Sequence, residues 1–169
     1  MCKEEFIEEL DINSNIISVY PKSELKNRMF LHKCSLVIPR TFNNKFIFSK
    51  RSKTQYPFPD TWICCIGGKV LKNESYLDGA IRESIEEVGF KLNLKKICHF
   101  VYDKKDYKAF FMIYTTEEEI DPNNLKPDPK EIQYFKSFSL EEIKKEICKN
   151  PQKFASTSID AINCFIKYI

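Results

Sequence analysis

Glu83, Glu86 and Glu87 crowd into the short segment GAIRESIEEVGF (79–90). On a helix at about 100° per residue they fall within about 100° of one another. Glu83 and Glu87 are one full turn apart, and Glu86 follows Glu83 by three. Like charges at that spacing repel, costing a few tenths of a kcal/mol per pair, roughly. They also sit in the second half of the helix, where the macrodipole disfavours anions. Arg82 offsets only part of this. A multivalent cation would resolve the repulsion: three hard oxygen ligands suit Mg²⁺ or Mn²⁺ and leave room for water and phosphate oxygens. The plainer alternative is a solvated acidic helix face.

The elements around this cluster decide between the two. Ser75 followed by Asp78 fits a capping box that starts the helix, and Gly89 sits where a left-handed C-cap belongs. Leu77, Ile81, Ile85 and Val88 fall within roughly 80° of one another on the wheel. They form the face expected to pack on a sheet, with the glutamates opposite. Residues 61–66 (TWICCI) read as one buried strand running into Gly67-Gly68. Further strands are expected at 16–19, 33–39, 45–50 and 131–138, and an antiparallel pair at 97–102 and 107–115 around Asp103–Asp106. The PKSELKNR stretch (21–28) reads as a short helical turn entered through Pro21. Residues 52–60 and 117–130 carry Pro-broken loops. Ser139, with Glu142, caps a helix over 140–148, and a final amphipathic helix covers about 157–168. The sum is a mixed α/β chain with mostly antiparallel strands.

Composition bounds the rest. The chain has 169 residues, 43% hydrophobic and 30% charged, so wholesale disorder is excluded and one domain over 1–169 is expected. Lys+Arg number 27 against 24 Asp+Glu, a balance too even to argue for nucleic acid or a membrane surface. Apolar runs are far shorter than the ~20 residues a membrane span needs. The first ten residues, MCKEEFIEEL, carry no hydrophobic signal core, so a cytoplasmic protein is expected. Seven cysteines, at 2, 34, 64, 65, 98, 148 and 164, show no zinc spacing and read as reduced thiols.

Residues 68–90 resemble the signature box of the Nudix hydrolases, G-x5-E-x7-R-E-U-x-E-E-x-G-U, where U is a bulky apolar residue. Gly68, Glu74, Arg82, Glu83, Glu86, Glu87, Gly89 and Phe90 match in register. Seven fixed identities at ~5% each give a chance match of roughly one in 10⁹ per window. Ser84 departs from the pattern where an aliphatic is usual, and a local hydroxyl bond to a carbonyl is expected there. Flanking stretches, FPDTW before the glycines and EIQYFKSFSLEEI after the box, look like the isopentenyl-diphosphate isomerase-like branch of that superfamily.

The resemblance implies a Nudix α/β/α sandwich with a central mixed sheet and the box as a loop-helix-loop. It implies Mg²⁺-dependent cleavage of a diphosphate linkage in a nucleoside diphosphate joined to a moiety X. Glu83, Glu86 and Glu87 would ligate the metal with the Gly67 carbonyl. Glu83 or, from a later loop, Glu131 would serve as base, with Asp128 second. Glu74, Arg82, Gly68 and Gly89 would be structural. Arg51, Lys53 and Lys69 are candidates for phosphate contact, and Phe58 for stacking on a base; Trp62 reads as core. A non-catalytic nucleotide-binding module and an isomerase are the alternatives. The isomerase is disfavoured because Gly67 and Lys69 stand where its Cys and His belong, with Cys64 and Cys65 displaced. A small-molecule diphosphate is the expected partner, nucleic acid is not, and the sequence leaves a homodimer open.

Overall fold

The computed structural model describes residues 4–169, so the expectation for Cys2 lies outside the described residues. Strand β1 (Phe6–Leu10) pairs antiparallel with β2 (Ile16–Pro21). After a 3₁₀ turn over Lys22–Lys26 come β3 (His32–Val37), β4 (Phe46–Arg51), β5 (Trp62–Cys64) and β6 (Ile66–Lys69). Helix α1 (Tyr76–Val88) precedes β7 (Leu94–Asp103), β8 (Lys108–Thr116) and β9 (Ile132–Phe138), and α2 (Leu140–Lys149) and α3 (Ser156–Ile166) close the chain.

The strands form a mixed sheet in the order β6-β3-β8-β7 and an antiparallel sheet in the order β5-β4-β9. The pair β3–β8 is parallel, Cys34 opposite Phe111, and the remaining pairs are antiparallel. Helix α1 lies against β6 and β3, while α3 packs on β7 and β5 and α2 on β9. Two apolar cores lie beneath the helices. Phe46, Phe48, Trp62, Phe138, Ile162 and Phe165 fill one beneath α2 and α3. Val37, Ile47, Ile66, Ala80, Val88 and Leu92 fill the other beneath α1. A third cluster, Cys34, Tyr102, Tyr107, Ala109 and Phe111, lies on the mixed sheet. Trp62 meets Tyr134 and Phe138 edge-on, as a core residue does.

Two expectations need correction. The TWICCI run is two strands in two sheets: β5 pairs with β4 and β6 with β3, with a break at Cys65. Cys64 therefore faces the first core and Cys65 the second. The box accordingly begins inside strand β6 and not in a loop, because Gly68 pairs with Ser35. Strand β1 went unread because its acidic sequence, FIEEL, masks the alternation; Glu8 is nevertheless buried, bonded to Lys33 at 2.6 Å.

Among the described residues no helix is long and apolar enough to cross a membrane.

Candidate active site

Local chemistry fixes helix α1 as the sequence indicates. Ser75 Oγ accepts from the Asp78 N–H at 3.1 Å and the Asp78 carboxylate accepts from the Ser75 N–H at 3.2 Å, closing the capping box. Such a cap stabilises a helix by about 1 kcal/mol. Gly89, at φ 88°, ends the helix and donates to Ile85 O. The Ser84 hydroxyl, fully buried, donates to Ile81 O at 2.7 Å, the local bond expected of it.

The face α1 buries is turned by about 100° from the one expected, towards Glu83 and Glu87. Ala80, Glu83, Ser84, Glu87 and Val88 are buried, while Leu77 and Ile85 are 41% and 50% exposed. Only Val88 of the anticipated apolar stripe is in the core. The cause is the glycine strand beside the helix. A Cβ on Gly68 would lie 1.9 Å from Glu83 Oε1, so the missing side chain is the space the carboxylate occupies. Polar groups thus face a sheet at the one place where the sheet has no side chains.

Arg82 organises the acids. It donates to both Glu74 oxygens at 2.9 and 3.1 Å, to Glu83 at 2.7 Å, to Glu86 at 3.3 Å and to the Lys69 carbonyl at 2.8 Å. Glu74 also accepts from Leu71 N, which pins the loop entering the helix. Among the described residues no three His, Cys, Asp or Glu side chains converge as a closed metal cage. Arg82 Nη1 occupies the place between Glu83 and Glu86, donating to both. Glu87 stays apart: its Oε2 is buried without a hydrogen-bond partner. Burial pushes its pKa well up, the Glu83 and Glu131 charges add to this, and the Gly67 N–H works against it. Glu83 is raised by burial in spite of Arg82.

Glu131 therefore stands near enough to Glu87 to act on its charge. The Asp128 carbonyl accepts from Glu131 N and Ile132 N, and its Oδ1 from Lys130 N at 2.9 Å, so Asp128 is spent on building the turn that carries Glu131.

Beside Gly67 and Gly68 a cavity of about 110 Å³ opens, lined by Arg51, Phe58, Lys69, Leu36, Ile63 and Phe111 among others. Arg51 donates to Pro57 O at 2.9 Å. Lys69 forms no salt bridge among the described residues, and burial lowers its pKa. Lys53 is exposed and lines neither this cavity nor the cleft beside it, unlike Arg51 and Lys69. A wider cleft adjoins, sharing Pro57, Lys69 and Tyr107 with the first and lined further by Glu5, Lys22, Lys26 and Asp106.

Sequence reasoning missed Lys22, Cys34 and Tyr107. Tyr107, Ala109 and Phe111 alternate onto one face of a strand, a legible signal, but the topology was needed to know that this face meets the site. Behind it lies a buried chain of polar groups. His32 Nδ1 bonds Phe30 O at 2.9 Å, and burial lowers the ring's pKa to about 4. A neutral ring donating from Nδ1 must accept at Nε2, so the Tyr107 hydroxyl donates to it at 3.1 Å and accepts from Cys34 Sγ at 3.5 Å. Cys64 and Cys65 are no better as reactive groups: burial pushes the Cys64 thiol up to about 12 and Cys65 well above its ordinary value.

Comparison with known proteins places the fold in a family. The chain is similar to a prenyl-diphosphate phosphatase of Methanosarcina mazei, 22% identical over 88% of this chain and 87% of that one. An uncharacterised Nudix hydrolase of Streptomyces coelicolor is 29% identical over 51% of this chain and 48% of that one. Among solved structures, a Deinococcus radiodurans protein superposes with a TM-score of 0.80 at 15% identity, covering 95% of this chain and 99% of that one. A MutT protein of Methanosarcina mazei gives a TM-score of 0.68 at 19% identity, covering 83% and 96%. The two solved structures share the mixed α/β fold, built here from a four-stranded sheet, a three-stranded sheet, the β1–β2 pair and three α-helices, and the NUDIX domain model matches residues 31–157, so the chain belongs to the Nudix family.

Proposed function

We propose that this protein hydrolyses the diphosphate linkage of a small organic diphosphate, with Mg²⁺ or Mn²⁺ held by Glu83, Glu86, Glu87 and the Gly67 carbonyl. The observation that carries the proposal is Glu87 Oε2, a buried acceptor with no partner. An unsatisfied buried carboxylate costs about 1–3 kcal/mol or more and persists where a ligand completes it. The donor set is all oxygen, which fits a hard cation. The Gly67 N–H already serves Glu87, and in an extended residue the carbonyl points to the same side. When bound, the ion would neutralise phosphate charge and acidify a water.

The chain's own residues do the rest. Arg82 holds Glu83 and Glu86 in place through its planar fork, a geometry a lysine lacks. Glu131, beside Glu87, receives the proton of the attacking water. Lys69 and Arg51, at the cavity mouth, balance the charge of the diphosphate, a role Lys69 is free to take since it has no salt-bridge partner among the described residues. Among the described residues the six cysteines are unpaired, which suits a reducing compartment.

The substrate's other half is a nucleoside with a moiety X on the first reading. The name of the Methanosarcina relative puts a prenyl diphosphate beside it, and the apolar lining around Leu36, Ile63 and Phe111 favours that second reading. The test is phosphate or monophosphate release with Mg²⁺ or Mn²⁺ from nucleoside diphosphate derivatives and prenyl diphosphates. Turnover of at least one is expected, with Glu86→Gln plus Glu87→Gln lowering kcat/KM by at least about 100-fold. Undiminished turnover in that double variant would overturn the metal assignment, and tight binding without product would leave a nucleotide-binding module instead.

A further inference from the structure

The described residues hold two buried side-chain polar atoms with no hydrogen-bond partner. One, Glu87 Oε2, belongs to the candidate active site. The other, Arg40 Nε, lies at the far end of the mixed sheet. The cavity by the glycine strand takes Cys34 and Leu36 of β3 and Phe111 of β8, whereas Arg40 follows the end of β3, beside the last residue of β8. At this far end we infer a second ligand site, which binds a phosphate monoester with an apolar organic part.

Three strand ends build it. The Arg40 backbone N–H donates to Thr116 Oγ1 at 3.1 Å, and Arg40 Nη2 donates to the Glu117 carbonyl at 3.2 Å. These bonds hold the arginine on one side of β8. On the other side, in β7, Lys95 stands opposite Thr115. Lys96 pairs with Tyr114 and Cys98 with Ile113, so Ile97 is an extra, bulged residue. Neighbours on a regular strand point to opposite faces. The bulge breaks that alternation, and Lys95, Lys96 and Ile97 line one pocket together with Arg40. The pocket measures about 620 Å³, within the ~300–1,000 Å³ of small-molecule sites. It shares no lining residue with the cavity and cleft of the candidate active site.

Charge selects the ligand. Arg40, Lys95 and Lys96 meet one acidic side chain in the wall, Glu117. None of the three cations forms a salt bridge among the described residues. Unpaired cations around a concave surface draw in an anion of more than one charge. Phosphate oxygens are strong partners for guanidinium N–H groups, here including the unsatisfied Nε. A buried donor without a partner is costly, and a ligand oxygen removes that cost. Thr116 Oγ1 accepts from Arg40 and keeps its own proton to donate. The remaining wall is carbon, from Phe46, Ile97 and Tyr168. The Tyr168 ring is 66% exposed, open to the apolar part of a ligand. Bare phosphate would leave that half of the pocket empty, and an ester fills both halves.

Amide ¹H–¹⁵N shifts of the intact protein test this, in titrations with phenyl phosphate, orthophosphate and phenol. Divalent ions are chelated, so that the carboxylate cluster has no metal to offer a phosphate. Phenyl phosphate should move the amides of Arg40, Lys96 and Thr116 saturably, and bind at least about fivefold more tightly than orthophosphate or phenol. Lys95→Gln plus Lys96→Gln, at two exposed positions, should weaken it by about fivefold or more. Arg40→Lys keeps the charge and loses the planar fork, and should weaken it by about tenfold. Thermal unfolding checks that variant, because Arg40 also bonds the end of β8. Shifts confined to Gly67, Gly68 and their neighbours, no saturable shift, or unchanged affinity in the lysine double variant would overturn the site. Orthophosphate binding as tightly as phenyl phosphate would overturn the ester assignment. No arm of the test involves turnover, so each outcome reads the same whether or not the protein is a hydrolase.

Discussion

Glu87 shows how a single side chain trades stability for chemistry. Its carboxylate is buried beside Glu83 and Glu131, with one oxygen unpaired. Replacing it with Gln removes the buried charge and supplies an N–H₂ that can donate to Glu83 or Glu131. Glu87→Gln should therefore raise stability by about 1–2 kcal/mol, or about 2–4 °C in Tm per kcal/mol. Hydrolytic activity should fall in the same variant by at least about tenfold. Thermal unfolding and a phosphate-release assay on one preparation read both. A destabilised or fully active variant would mean that Glu87 has a structural partner and no ligand role. The sequence showed this residue's membership in the acidic cluster but not its burial, because its helical spacing is the same whether it faces water or a sheet.

At the scale of elements, the approach of α1 to β6 is what makes the site. The ends of α1 were legible because Ser75, Asp78 and Gly89 each leave a chemical mark at a fixed offset. The packing face was not. Leu77, Ile81 and Ile85 outweigh Val88 and Ala80 in hydrophobicity, so periodicity alone points a neighbouring face, about 100° away, at the sheet. The overriding fact is two glycines on a neighbouring strand, and no helical wheel contains its neighbour. Gly68→Ala tests the geometry directly. The added Cβ would collide with the Glu83 carboxylate, the flexible end of a side chain. The side chain must swing aside, so the fold should hold within about 1 kcal/mol of wild type while divalent-ion affinity and activity drop by about tenfold or more. Unchanged ion affinity would show that Glu83 is no ligand. The same limit of one-dimensional reading fused β5 and β6 into a single strand: the TWICCI run is continuous in sequence, but its two halves pair with different sheets.

Across the whole molecule, the α/β class and the order of elements could be read from alternation and turn residues, whereas the assignment of strands to sheets required long-range pairing. The buried chain His32–Tyr107–Cys34 belongs to this scale, since it ties β3 to the start of β8 through side chains 75 residues apart. It also gives stability a pH dependence. The ordinary His value is 6.5, and burial holds the His32 ring at about 4. Between those values the unfolded chain takes up a proton that the folded chain refuses. The contribution is complete above about pH 6.5 and is lost as pH falls towards 4, by about 3 kcal/mol in all. Urea unfolding near pH 7 and near pH 4.5 should show this loss in wild type, and His32→Gln should remove most of the difference. An identical pH dependence in the variant would assign the acid sensitivity to the carboxylates.

The account depends most on Glu83, Glu86 and Glu87 acting together on a divalent ion. Anomalous scattering at the manganese edge, from crystals soaked in Mn²⁺ with a methylene-bridged diphosphonate, measures this directly. We predict a peak among these three carboxylates and the Gly67 carbonyl, with Glu83 and Glu86 turned away from Arg82 and Glu87 Oε2 bonded to the ion. Fully bound diphosphonate with no manganese peak at that cluster would contradict it.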